Sequence, residues 1–169
     1  TLWWQERVNH IQSVEHDSQW LESLRPKLKK NAKIKEVKRI NSEFNLEDSI
    51  INSYKQRIRQ VDWPQYTPEK VLRRGLEDEG FESYASEILN YDNLYDFIII
   101  DGMARRLCCE FAVNKIKSDG IIILDNSNRS DYQAAFDILE ANGFKQIPFW
   151  GLVPGANFIS CTSFFFKDI

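Results

Sequence analysis

The chain has 169 residues, 43% of them apolar and 28% charged, with a net charge of −3 and a pI near 5.5. That suits one globular domain with a real core, and the lack of a basic excess argues against nucleic acid as the main partner. No apolar run is long enough to span a bilayer, and the odd set Cys108, Cys109 and Cys161, without CxxC spacing, fits a reducing cytoplasm.

The elements follow in chain order. Leu2, Trp3, Trp4 and Val8 predict the apolar side of a helix already under way at Thr1, with no leader before it. Ile11 to Glu15 reads as a short strand ending in acid. Asp17 or Ser18 caps the next helix, with Trp20, Leu21, Leu24 and Leu28 inward, and Pro26 either kinks or ends it. Ile34 to Ile40 alternates and predicts a strand. The basic run from Lys27 to Arg39 is most simply a solvated face.

Residues 41–83 are the least regular stretch. Ser49 to Val61 predicts a helix, Trp63 to Pro68 a proline-punctuated loop, and Glu69 to Leu76 a second short helix. We read this stretch as an insertion or lid-like segment inside one domain, residues 1–169, bordering a substrate site. Trp63, Tyr66 and Trp150 are candidate walls of that site, although Trp150 also suits a core.

The second half is more regular. Phe81 to Asn90 predicts a helix. Tyr95 to Asp101 and Gly120 to Asp125 are apolar runs without alternation, each ending in acid, as parallel strands covered by helices on both faces require. A helix over 103–117, with Leu107, Cys108, Phe111, Ala112 and Ile116 inward, makes the unit a right-handed crossover. Ser130-Asp131-Tyr132-Gln133 predicts a capping box for the following helix, and Gly143 suits the position just past its end. Lys145–Trp150 and Thr162–Lys167 predict a closing strand pair of antiparallel type.

In open α/β sheets, ligands sit beyond the carboxyl ends of the strands. That edge carries Glu15, Asp101, Gly102, Asp125 and Asn126, with Arg105, Arg106 and Arg129 nearby. A carboxylate such as Glu15 can accept two bonds from ribose hydroxyls, or it can be a solvated acid at a strand end. Asp101 can serve as a base or cap the helix near Met103. Asp125 and Asn126 can hold substrate or close an Asx turn. The arginines can bind an anionic substrate group or neutralise the acids.

The order Val14-Glu15-His16-Asp17, Asp101-Gly102, Asp125-Asn126-Ser127 and Thr162-Ser163-Phe164-Phe165-Phe166 resembles the class I S-adenosylmethionine-dependent methyltransferases, in particular small, poorly characterised bacterial members. The resemblance covers residues 1–40 and 84–168. It implies a Rossmann-like methyltransferase sheet, mostly parallel with an antiparallel C-terminal strand, and helices on both faces. It further implies methyl transfer to a small-molecule oxygen or nitrogen, with Glu15, Asp101 and Gly102 on the cofactor. Asp101 is then the candidate catalytic base, and Asp125, Asn126, Arg105 and Arg129 face the substrate. The family's glycine-rich turn has no counterpart here, so the first strand and that turn are expected upstream of Thr1. Catechol-type members hold a divalent metal on residues corresponding to Asp101, Asp125 and Asn126, but a metal is not the favoured expectation. The competing readings are a degenerate fold acting as a binding module and another nucleotide-binding α/β enzyme. A homo-oligomer is compatible with either.

Overall fold

A computed structural model describes residues 1–40, 78 and 80–168. The chain begins with a single 3-10 turn, Trp4–Glu6, in place of the longer helix expected there. Strand β1, Ile11–Glu15, follows, and Asp17 caps helix α1, Ser18–Leu24, by accepting from the Trp20 amide at 3.0 Å. Leu21 and Leu24 are buried, but Trp20 is exposed. Pro26 ends this helix rather than bending it, because residues Arg25–Lys27 continue only as a 3-10 turn. Strand β2, Ala32–Glu36, pairs parallel to β1 and starts earlier than the alternation of Ile34–Ile40 suggested.

Helix α2, Glu82–Ser86, runs into a 3-10 turn, Glu87–Asn90. Glu87 is buried there. Burial opposes its charge, but Lys35 Nζ at 2.7 Å, the Tyr91 hydroxyl at 2.9 Å and the Asn90 amide at 2.9 Å outweigh it, and its carboxyl titrates below the usual range. Gln12 of β1 donates to the Tyr91 hydroxyl at 3.0 Å, which ties the first strand pair to the segment leading into the main sheet.

That sheet is built from β3 (Tyr95–Ile100), β4 (Ile116–Leu124), β5 (Lys145–Leu152) and β6 (Ile159–Phe166), in the order β3-β4-β6-β5. Strands β3 and β4 are parallel, and β6 lies antiparallel to both β4 and β5. The α/β class, with one antiparallel C-terminal strand in an otherwise parallel arrangement, is therefore the class observed. Helices α3 (Arg105–Ala112) and α4 (Gln133–Ala141) pack on one sheet face. There Ile98, Ile100, Ile122, Leu124 and Phe165 meet Cys109, Ala112, Ala135 and Leu139 in a single apolar cluster. Cys109 behaves as a small apolar group, as expected, and burial raises the thiols of both Cys108 and Cys109, the former to about 12.

Two expected features are corrected. Ile116 begins β4 instead of ending the preceding helix, which stops at Ala112; the β3–β4 register shifts between Tyr95 and Phe97, so β4 reaches further back than Gly120. The capping box also fails to form. Ser130–Tyr132 is a 3-10 turn without a side-chain cap, Ser130 Oγ is buried without a partner among the described residues, and Gln133 bonds Asp137 at 3.0 Å instead. Gly143 does sit just past α4 with φ of 80°. The helices and loop expected over 49–76 lie outside the described residues.

Candidate functional site

The carboxyl ends of β1, β3 and β4 hold the acids that the sequence placed there. At the tip of β1, Glu15 Oε1 accepts from the backbone amides of His16 at 2.8 Å and Asp17 at 3.0 Å, and lies 3.1 Å from His16 Nδ1. Oε2 receives no hydrogen bond from a described residue. One oxygen thus orients the carboxylate while the other stays open to a ligand. His16 stacks edge-on against Phe81 at 5.4 Å and Tyr84 at 6.1 Å.

Tyr84 links this tip to the end of β3. Burial, reinforced by the nearby Glu15 carboxylate, raises its phenol well above the ordinary value, so it stays protonated. Its hydroxyl packs over Gly102, where an added Cβ would lie 2.2 Å away. Only glycine leaves room for that contact. The turn continues into Ala104, buried at the start of α3 with φ of 49°, a left-handed conformation costly for alanine.

Arg105 holds this turn to the end of β4. It is only 8% exposed. Nε donates to the Gly102 carbonyl at 2.9 Å, one terminal nitrogen to the Asp101 carbonyl at 2.8 Å and Asp101 Oδ1 at 3.2 Å, and the other to the Asp125 carbonyl and, at 3.3 Å, to Asn126 Oδ1. The fork therefore spans both strand tips, and its donors are used within the protein. Of the other arginines, Arg129 bonds the Tyr132 hydroxyl at 3.2 Å, and Arg106 pairs with Asp78 at 2.8 Å.

The β4 loop is strapped to β6. The register sets Leu124 opposite Ser163. Thr162 therefore falls beside Asp125 and donates to its Oδ1 at 2.6 Å. Asn126 adopts φ of 49°, a conformation that asparagine tolerates, and its amide donates to Ser160 Oγ at 2.9 Å. Asn128 Oδ1 accepts from the Cys161 amide at 3.0 Å. Ser160, Asn128 and Tyr84 carried no motif that would have marked them, and Thr162 stood out only as part of the closing strand. Only the antiparallel return of β6 and the packing of α2 bring them to this edge.

Asp101 and Asp125 are neighbours across the two tips. The loops strip part of the hydration from Asp101, and Asp125 adds a hydrogen bond and a like charge. Together these raise the Asp101 carboxyl above its usual value, against the weaker opposing pull of Arg105. An acid whose pKa rises on folding stabilises the fold below its ordinary range and ceases to do so as pH climbs through the raised value. Asp101→Asn is therefore expected to melt higher than the wild type at about pH 7 and to lose that advantage in acid, where Asp101 is protonated anyway. Equal melting temperatures of the two proteins at neutral pH would show that the pair carries no repulsion.

The donor set was tested against a divalent cation. Asp101 Oδ1, Asp125 Oδ2 and Asn126 Oδ1 all face the Arg105 guanidinium, at 3.2, 3.9 and 3.3 Å. A fixed positive charge already serves these oxygens, and they lie in no cluster of three His, Cys, Asp or Glu side chains suited to a metal among the described residues. Nor is any helix among them long and apolar enough to cross a membrane.

The fold and the site together define an open α/β domain with its acids gathered at the carboxyl edge. No family model and no curated protein matches the chain. Among solved structures, it is similar to a precorrin-6y C5,15-methyltransferase from Geobacter metallireducens, with 13% identity over 92% of this chain and 66% of that one and a TM-score of 0.47. It is also similar to a Thermoplasma acidophilum protein assigned as a methyltransferase, with 15% identity over 94% of this chain and 67% of that one and a TM-score of 0.41. The chain thus spans about two thirds of the length of each.

Proposed function

We propose that the chain carries out S-adenosylmethionine-dependent methyl transfer to a small-molecule oxygen or nitrogen nucleophile. The observation that supports this most directly is Glu15. Two backbone amides hold its Oε1, its Oε2 receives no hydrogen bond from a described residue, and the rings of His16 and Tyr84 link it to the glycine turn that follows β3. A carboxylate fixed in this way at a strand tip suits the paired hydroxyls of a ribose. The strand-tip carboxylates fit the hydroxyls of the cofactor, and Glu15, Asp101 and the Gly102 turn, over which the Tyr84 hydroxyl already packs, are the groups that would hold it. When bound, that cofactor supplies an electrophilic sulfonium methyl.

The protein's own work is positioning and proton handling. The raised carboxyl of Asp101 is a stronger base than an ordinary aspartate and is placed to take the proton of an acceptor hydroxyl. Asp125, fixed by Thr162, and the polar edge formed with Asn126 and Arg129 orient the acceptor. Arg105 acts on the acceptor indirectly, by holding the two acids at a constant spacing. An amine acceptor would need no base beyond water.

Calorimetry with S-adenosylhomocysteine and, separately, with NAD tests the reading. Binding of the first alone is expected. Binding of NAD alone would reassign the site to another nucleotide-using enzyme, and binding of neither would favour a non-enzymatic module. Because Arg105 already supplies the positive charge at Asp101 and Asp125, methyl transfer is expected to persist in EDTA. Loss of activity in EDTA that Mg²⁺ restores would overturn that expectation.

A further inference from the structure

From Gln146 to Phe166, twenty-one residues, the chain has no charged side chain and no histidine. This run forms β5, its turn and β6. The turn is closed by the Val153 amide on the Phe158 carbonyl at 3.1 Å. Strand β4 ends at Leu124, opposite Ser163, and its loop holds β6 as far as Ser160, so among the described residues the hairpin beyond Ser160 pairs only with itself. A Cβ added at Gly151 or Gly155 would meet no described residue within 4 Å. On the hairpin Phe149, Trp150, Leu152, Phe158 and Ile159 are each between 53% and 75% exposed.

We propose that this hairpin is a self-association arm that packs against the same arm of a second copy of this chain. Area is the first argument. Side chains of this size offer about 150–250 Å² each. Trp150, Leu152 and Ile159 share one face, and their open parts amount to roughly 300–500 Å², compared with about 800 Å² per partner in a standard interface and about 300–600 Å² for the largest apolar patch of a typical monomer. One face of the arm supplies about half of what each partner of a standard pair buries.

Shape and charge select the occupant. A small-molecule site is concave, whereas this arm projects and is apolar on both faces: Trp150 and Leu152 lie on one face of β5, and Phe149 lies on the other, tilted against Phe164 at 4.8 Å. A two-fold interface brings each group near its own copy, so a charged arm would repel itself and a charge-free one does not. No cation on the arm reads anionic lipid, and the net charge of −3 opposes such a surface. Pro148 lacks an amide hydrogen and blunts edge-to-edge extension of β5, which leaves side-chain packing as the mode of association. Thr162, at the base of the arm, bonds Asp125, so the interface adjoins the candidate site.

Sedimentation velocity of the full chain over about 1–100 μM tests the arm, because self-association depends on protomer concentration. The mass is expected to rise from 19.9 kDa to twice that value. Trp150→Glu/Leu152→Glu is expected to stay monomeric throughout with unchanged circular dichroism, and Leu152→Met to dimerise like the wild type. As a readout that needs no variant, hydrogen exchange at the amides of residues 149–152 and 158–161 should slow as wild-type concentration rises. A wild type that is monomeric at every concentration overturns the proposal, as does a dimer that survives the double glutamate variant. A monomer that floats with neutral phosphatidylcholine vesicles would assign the arm to a membrane instead. Exchange indifferent to concentration would count equally against it.

Discussion

Arg105→Ala is expected to lower the melting temperature by about 5–15 °C, the shift that roughly 2–4 kcal/mol produces in a domain of this size. Two effects are combined in that loss, and their sizes differ. The ion pairs join Arg105 to carboxylates at 3.2 and 3.9 Å, and Asp101 is largely exposed, so they contribute little, on the order of 0–1 kcal/mol. The donations to three backbone carbonyls, those of Asp101, Gly102 and Asp125, come from a buried guanidinium and dominate. Without them, the left-handed Ala104 turn loses most of its hydrogen bonds to the β4 loop, although the Asp125 amide still bonds the Ile100 carbonyl at 3.1 Å. Arg105→Lys keeps the charge and loses the fork, so it should recover only a minor part of the stability. A melting temperature within about 2 °C of wild type in Arg105→Ala would show that the loops keep their geometry unaided. Full rescue by lysine would show that charge, not the fork, is what matters.

Glu15→Ala is expected to weaken S-adenosylhomocysteine binding about tenfold to a hundredfold, the equivalent of roughly 1.5–3 kcal/mol for charge-assisted hydrogen bonds. The stability cost should be small, since Oε1 bonds only within the turn that follows, through the part-buried His16 amide, the exposed Asp17 amide and the His16 ring. Glu15→Gln separates the two duties. Its amide oxygen can still accept from His16 and Asp17, which preserves the turn, while the negative charge is lost. Intermediate affinity is expected for Gln and the full loss for Ala. Calorimetry measures both. Unchanged affinity in Glu15→Ala would rule out its part in the site.

Much of this site was legible in the sequence because it lies at chain positions that local patterns mark. The apolar runs ending in Asp101 and Asp125 are strands by composition alone, and both acids stand at the carboxyl edge. Glu15 ends β1, and Asp17 caps α1, as the residue types suggested. The closing pair was equally readable, since two apolar segments joined by a Gly/Pro turn have little alternative to a hairpin.

Other features depend on what a segment meets after folding. Ile116 fits the stripe of a helix and the start of a strand equally well, and pairing with Tyr95 decides for the strand. The Ser130 box is a valid local signal that loses to a 3-10 turn shaped by burial of Tyr132. Arg105 reads as one exposed helix-end arginine among three. It becomes a clamp because the crossover brings two strand ends side by side and the guanidinium can reach five acceptors at once.

Sequence by itself determined the α/β class, the strand tips and the acids they carry, because strand periodicity, capping and apolar runs are local properties of the chain. Tertiary structure alone decided that Thr162 serves Asp125, that Tyr84 covers Gly102, and that Arg105 joins the tips. It also decided that an uncharged hairpin, indistinguishable in sequence from buried strands, stands open to water. The physical reason is the same in each case. These outcomes depend on register and on neighbours distant in the chain, and no local pattern encodes which surfaces will find a partner.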